Sequence, residues 1–246
     1  MPINNRRAKI DLLAKRCLDV FISAVALTLL SPIFVVAAIG IKLKSPGSIL
    51  FVADRVGLNG QTFSMFKFRT MHAGTDGQSA ITAPADKRIF SFGLVLRSLK
   101  IDELPQFWNI LIGDMSLVGP RPEDPMIVKK AYSDWMNETL LVRPGVTSPG
   151  AVFGYIFGES LLNDADPEGS YINQLLTPKL ALERAYLERA TFRSDLGYIL
   201  LTVWAIFAHV FHFRIKMPKD DIVTARRWSK QNFEVGKAFE TIDLGQ

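Results

Sequence analysis

Residues 20–41, VFISAVALTLLSPIFVVAAIGI, are 22 positions without a charge. At about 1.5 Å per residue such a helix reaches across a bilayer core of about 30 Å. Ser31 and Pro32 fall near its middle, where a proline removes a backbone donor and collides with the preceding turn, so the pattern predicts a bend there. Cations flank both ends: Arg6, Arg7, Lys9, Lys15 and Arg16 before, Lys42 and Lys44 after. Such flanks favour the cytoplasmic side, and a straight span cannot place both ends there. A hairpin that enters one leaflet, turns at Ser31-Pro32 and returns satisfies both, with the Ser31 hydroxyl as partner for a backbone group freed at the bend. A kinked span is the competing reading. A cleavable signal peptide fits poorly, because the apolar run is too long, starts late and precedes no clear small-residue cleavage motif.

Beyond the SPG break at 45–47, residues 49–71 alternate as two strands around a turn at Asn59-Gly60. The alternation puts Phe66 and Phe68 on one face and Lys67 and Arg69 on the other. A solvated strand face explains two such cations as well as a binding site does. Residues 72–87 read as a surface loop and 88–100 as a helix. Leu104, Phe107, Trp108 and Leu111 then follow helical spacing, predicting a short amphipathic helix from about Asp102 to Gly113, with Pro105 tolerated in its first turn. Residues 115–122, MSLVGPRP, read as a short strand entering a rigid turn that presents Arg121 between two prolines, and 143–146 repeat the device with Arg143. Residues 126–141 are expected to be helical, 155–170 loop-like and 179–190 helical. The apolar stretch from Leu196 reads as an interfacial helix. The expected class is α/β in the α+β sense: a basic N-terminus and re-entrant helix over 1–44, a small, mostly helical catalytic domain with a β-hairpin and interfacial helices over 45–213, and a polar tail over 214–246 to which the sequence assigns no role.

Composition narrows the chemistry. One cysteine, Cys17, excludes an intramolecular disulfide, and His72, His209 and His212 supply no zinc cluster. A net charge of +5 points to anionic partners. No basic run interleaved with aromatics and no nucleic-acid-binding motif is present, so nucleic acid is not expected among them.

Asp102 and Glu103 stand side by side at the start of the short helix. An Asp there is ordinarily an N-cap, but Arg97, Lys100, Arg121, Arg143, Lys67 and Arg69 all sit in turns or strand ends that can converge on it. A carboxylate among such cations can hold a divalent ion or attack phosphorus.

The segments KRCLDVFISAVALTLLSPIF, FKFRTM, LRSLKIDELPQFWNILIGDMSLVGPRP, VRPGVT and FRSDLGYILLTV, in that order, resemble the bacterial sugar transferases, the polyprenyl-phosphate hexose-1-phosphate or monotopic phosphoglycosyl transferases. The resemblance covers roughly residues 15–203, and its DELPQ-to-PRP block is the most specific part. It implies transfer of a sugar-1-phosphate from a UDP-sugar to undecaprenyl phosphate with release of UMP, initiating exopolysaccharide, capsule or O-antigen synthesis at the cytoplasmic face of the bacterial inner membrane, with Mg2+ as cofactor. It also implies Asp102 as nucleophile and metal ligand, and Glu103 as its partner in metal binding or acceptor deprotonation. Arg97 and Arg121 fall on phosphate-contacting positions, with Lys67, Arg69 and Arg143 as further substrate contacts, and Ser31 and Pro32 mark the membrane re-entry. Membrane lipids are then partners, and a homodimer stays open. The chain departs from the family pattern after RPG, where it reads VTSPGAVFGY. Two other classes compete: a glycosyltransferase releasing UDP, for which Asp164-Ala165-Asp166 has Asp-x-Asp spacing, and a non-enzymatic membrane scaffold.

Overall fold

In the computed structural model the described residues are 6–74, 81–82, 86–211, 213, 217–219, 221–223 and 225. Most of the expected 72–87 loop and most of the 214–246 tail lie outside them. Helix α1 (Arg6–Leu29) meets α2 (Ser31–Lys44) at Leu30, and their apolar portions are bent by 59°. The bend has the expected cause. Pro32 cannot donate to the Thr28 carbonyl one turn back, and the Ser31 hydroxyl donates to that carbonyl instead, at 2.8 Å.

The hairpin forms as read: β1 (Leu50–Val56) pairs antiparallel with β2 (Thr62–Phe68), Ala53 opposite Met65, around a turn with Asn59 at φ 57°. Helix α3 (Ser91–Ser98) leads into a tight turn, Ile101–Glu103, and then α4 (Gln106–Ile112), which Gly113 ends at φ 103°. Strand β3 (Ser116–Val118) follows, then α5 (Pro125–Ala131) and α6 (Asp134–Asn137). The expected single helix over 126–141 is therefore broken, at Tyr132 and Ser133. Strand β4 (Gly145–Thr147) lies parallel to β3, so the Pro120–Pro122 and Arg143–Gly145 turns meet at one small sheet. The approach is close: a Cβ on Gly145 would lie 2.1 Å from the Gly119 nitrogen.

Helix α7 (Pro149–Leu161) takes up the first seven residues of the loop expected over 155–170. Its start is written in Ser148-Pro149: the Ser148 hydroxyl accepts from Ala151 N–H at 2.9 Å, and Pro149 sits where no intrahelical donor is needed. A short α8 (Pro167–Ser170) and a π turn lead into α9 (Thr177–Arg189), and α10 (Phe192–Val210) is the late apolar helix.

Three apolar clusters hold these parts. Phe153, Leu176, Leu180 and Leu182 join α7 to α9. Ile110, Met115, Val118, Tyr186 and Tyr198 join α4 and β3 to α9 and α10. Ala37 and Ile41 of α2 pack with Phe68, Phe90 and Leu96, so the bent helix is built into the domain rather than tethered to it. On α1, Asp19 accepts from Leu117 N–H at 2.9 Å, and Arg16 donates to the Ile110 and Leu111 carbonyls at the end of α4 at 2.7 and 2.9 Å. The opposite sides of α1 and α2 are apolar and exposed, with Phe21, Leu29, Val35, Val36 and Leu43 all more than half accessible. Leu200, Val203 and Trp204 of α10 are exposed in the same way. Among the described residues no single helix is long and apolar enough to cross a membrane.

Candidate active site

Asp102 lies in the tight turn between α3 and α4, and its side chain caps nothing. The turn is entered through Lys100, held at φ 57°, a left-handed conformation uncommon for a side chain with Cβ. That reversal aims Asp102 inward. It is buried, and its Oδ1 has no hydrogen-bond partner among the described residues. An unpaired buried carboxylate oxygen is costly, which marks it as a point where a ligand is expected.

Glu103 is the opposite case. Both oxygens face the Arg121 guanidinium, at 2.5 and 3.2 Å, with Lys67 Nζ at 3.4 Å and Lys100 Nζ at 3.8 Å from Oε1. Burial pushes this carboxyl up, but Arg121, Lys67 and Lys100 outweigh it and hold it well below the usual range. Such a group is a poor proton acceptor, and coordinating a metal would strip it from three cations. The geometry makes Glu103 the organiser of the basic cluster. For Asp102 the balance runs the other way: burial first, then the adjacent Glu103 charge, raise its pKa against Lys67, Lys100 and Arg97. A carboxylate destabilised in this way is more nucleophilic than an exposed one.

Arg97 donates to the Thr70 hydroxyl at 2.9 Å and feels the Asp102 charge. Lys67, chiefly through burial, is brought down to about 8 despite Glu103. The turn thus gathers Lys67, Lys100, Arg97 and Arg121 against two carboxylates, a net positive pocket suited to a diphosphate.

Two expected contacts lie elsewhere. Arg69 is buried and donates to Ser48 O at 2.6 Å, to Ser45 O at 2.5 Å and to Ser45 Oγ at 2.8 Å, fixing the turn that joins α2 to β1. Alternation put Arg69 beside Lys67, but its reach is spent on backbone carbonyls that no sequence pattern reveals. Arg143 donates to Gly113 O at 2.9 Å and is exposed, closing the carbonyl end of α4 together with Arg16. Asp166 of the Asp-x-Asp segment is exposed and accepts from Gly169 N–H at the start of α8. Among the described residues no three His, Cys, Asp or Glu side chains are grouped to hold a metal.

Helix α4 also corrects the expected orientation. Leu104, Phe107 and Leu111 are only partly buried and Trp108 is half exposed, while Gln106, Asn109 and Ile110 are fully buried. Asn109 accepts from Phe66 N–H at 3.0 Å and donates to Ser64 O at 2.8 Å, locking α4 to the strand that carries Lys67. Gln106, one turn beyond Asp102, has neither side-chain atom paired among the described residues. Sequence reading missed it, since a glutamine at the start of a helix carries no signal of burial.

The pattern of the family described as "Bacterial sugar transferase" matches residues 10–209. A UDP-glucose:undecaprenyl-phosphate glucose-1-phosphate transferase of Caulobacter vibrioides is 36% identical, over 80% of this chain and 70% of that protein. A protein of the same name from Xanthomonas campestris pv. campestris is 37% identical, over 81% of this chain and 41% of its own length. A UDP-N-acetylgalactosamine-undecaprenyl-phosphate N-acetylgalactosaminephosphotransferase of Aeromonas hydrophila is 39% identical, over 57% of this chain and 34% of its own. The chain thus spans most of the first relative and about two fifths or less of the other two.

Proposed function

The chain belongs to the bacterial sugar transferase family, enzymes of the phosphoglycosyl transferase class, and from that premise we propose that it moves a sugar-1-phosphate from a UDP-sugar to undecaprenyl phosphate, releasing UMP. The observation that carries the reading is the unpaired, buried Asp102 oxygen among Lys67, Lys100, Arg97 and Arg121. A Mg2+ ion fits what the residues offer. Asp102 offers an Oδ1 with no partner among the described residues, Glu103 is paired through both oxygens, and this cation commonly takes one or two carboxylates and completes its shell with substrate phosphates. When bound by Asp102 it would neutralise phosphate oxygens.

The chain's own residues supply the rest. Lys67, Lys100 and Arg121 hold the donor diphosphate, and Glu103 fixes where those cations point. An Asp102 oxygen attacks the β-phosphorus; the new O–P bond forms as the bond to the bridging oxygen breaks, and UMP leaves with that oxygen. A phosphate oxygen of the lipid then attacks the same phosphorus and returns Asp102 as a carboxylate. Splitting the transfer spares one site from holding two anionic substrates together.

The bend supports a membrane-embedded reading at the cytoplasmic face. Arms of about 25 and 21 Å that diverge by 59° and share one surface would dip roughly 10–13 Å, within a leaflet about 15 Å deep. The exposed apolar faces of α1, α2 and α10 are where lipid would lie. Products of incubation with a UDP-sugar and undecaprenyl phosphate test the function: UMP supports it, UDP indicates a glycosyltransferase, and neither indicates a scaffold.

A further inference from the structure

Glu183 stands on α9, away from the Asp102 turn, and is completely buried. Its Oε1 accepts from the Ser148 hydroxyl at 2.5 Å and faces the Arg121 backbone N–H at 3.3 Å, while Oε2 has no partner among the described residues. Arg121 follows β3 and Ser148 follows β4. One carboxylate therefore sits across the C-terminal ends of both parallel strands. The fit is tight, since a Cβ on Gly150 would lie 2.5 Å from Oε1. The C-terminal ends are also tied directly, by Gly119 N–H to Thr147 O at 3.0 Å, and Gly145 N–H at the start of β4 donates to Pro120 O at 2.9 Å. Within the segment 147–151, Glu183 holds Ser148 and faces the Gly150 N–H.

A core filled with leucine would pack α9 on α7 as well, and would avoid the cost of burying a carboxyl. A buried acid kept at this point has a use that packing does not supply. We propose that Glu183 is a positioning residue: it clamps the β3 and β4 ends, sets the backbone of Arg121, and thereby sets the guanidinium that binds Glu103 and the donor diphosphate. Its effect on the donor rests on the sugar-phosphate transfer reading, but the clamp itself does not. Burial pushes the Glu183 carboxyl up to about 7, against Ser148, then Lys179 on its own helix, and the Arg121 and Gly150 N–H groups. The Tyr132 hydroxyl, between α5 and α6, and the Tyr186 hydroxyl on α9 itself feel its charge.

The test uses the full chain in detergent micelles with two readouts. Amide hydrogen exchange of the apo protein follows peptides covering 116–124 and 145–151. Steady-state UMP release, with undecaprenyl phosphate and whichever UDP-sugar the wild type uses, follows KM and kcat separately. Glu183→Ala is expected to speed exchange in both segments and raise donor KM about tenfold, with kcat changed less than about threefold. Glu183→Gln keeps an acceptor oxygen for Ser148 and Arg121 and should hold KM within about threefold of wild type. If Glu183→Ala does not fold, Ser148→Ala removes one of the two bonds and is expected to give the same pattern at smaller amplitude. Unchanged exchange in 116–124, or a uniform rise across every helix, overturns the clamp. A wild-type chain that releases no UMP, with exchange changed locally in Glu183→Ala, defeats the transfer reading and leaves the clamp standing.

Discussion

Replacing Glu103 by glutamine separates two roles that the pair Asp102-Glu103 allows. The substitution keeps shape and removes one negative charge from contact with Arg121, Lys67 and Lys100. Taking one partner from a buried ion pair costs about 3–5 kcal/mol. The Glu103 side chain is 12% exposed and Lys100 34%, so solvent recovers part of this, and about 3 kcal/mol is expected in urea unfolding. With the anion gone, Lys67 loses the interaction that opposes its burial and becomes neutral at lower pH, and Arg121 loses its bidentate anchor. Unlike displacement of Arg121 alone, losing the Glu103 anion unanchors Arg121 and disfavours the Lys67 charge together, which costs about 100-fold in rate. That loss should appear already in the first half-reaction, as a slower UMP burst with UDP-sugar alone. A Glu103 that served only to deprotonate the lipid acceptor would leave the burst intact and slow only turnover. An unchanged burst with unfolding within about 0.5 kcal/mol of wild type would refute the organiser assignment.

Donor binding should take up protons near pH 8–9, because an anionic diphosphate restores to Lys67 the charge that burial disfavours; calorimetry in buffers of different ionisation enthalpy reads the uptake. In the unliganded chain the folded-state pKa of Lys67, about 8, lies below its ordinary 10.5. Its contribution is therefore full above 10.5 and is lost as pH falls through 8, a difference of about 3 kcal/mol that Lys67→Met should abolish in pH-dependent unfolding. Arg69→Met should destabilise by about 2–4 kcal/mol while the folded fraction keeps its donor KM, whereas a KM change without destabilisation would return Arg69 to the site. On the re-entrant reading, cysteine probes at Asn5 and Ser48, in a chain with Cys17 replaced, should both be shielded from an impermeant reagent outside cells, and replacing Ser31 and Pro32 by Ala and Leu should straighten the bend and expose one of them in part of the population; an unchanged pattern would mean that the flanking charges or soluble packing, not the proline, set the topology.

Much of this arrangement was legible in residue order, for identifiable reasons. Turn chemistry at Asn59-Gly60 and the missing donor of Pro32 act locally, so the hairpin and the bend follow from neighbours alone. Periodicity was right about which α4 residues share a side and wrong about the medium each side meets. It assigned Trp108 inward, whereas Asn109 is buried because two backbone groups of β2 need it. The α7 start was readable in Ser148-Pro149, and the helix runs on through 155–161, which had read as loop. Cations were the least legible. Lys67, Arg97 and Arg121 reach the Asp102 turn while Arg69 and Arg143 end on carbonyls, and only tertiary placement of those carbonyls decides between the two fates.

The central claim is that Asp102 carries the sugar phosphate between donor and acceptor. The measurement is intact-protein and peptide mass after mixing the chain with its UDP-sugar and Mg2+ in the absence of lipid phosphate. The account predicts about one equivalent of UMP and a sugar phosphate added to the peptide holding Asp102, both lost in Asp102→Asn, where an amide replaces the attacking carboxylate. UMP that appears only when lipid phosphate is present, with no adduct at any time, or substantial turnover by Asp102→Asn, would contradict it.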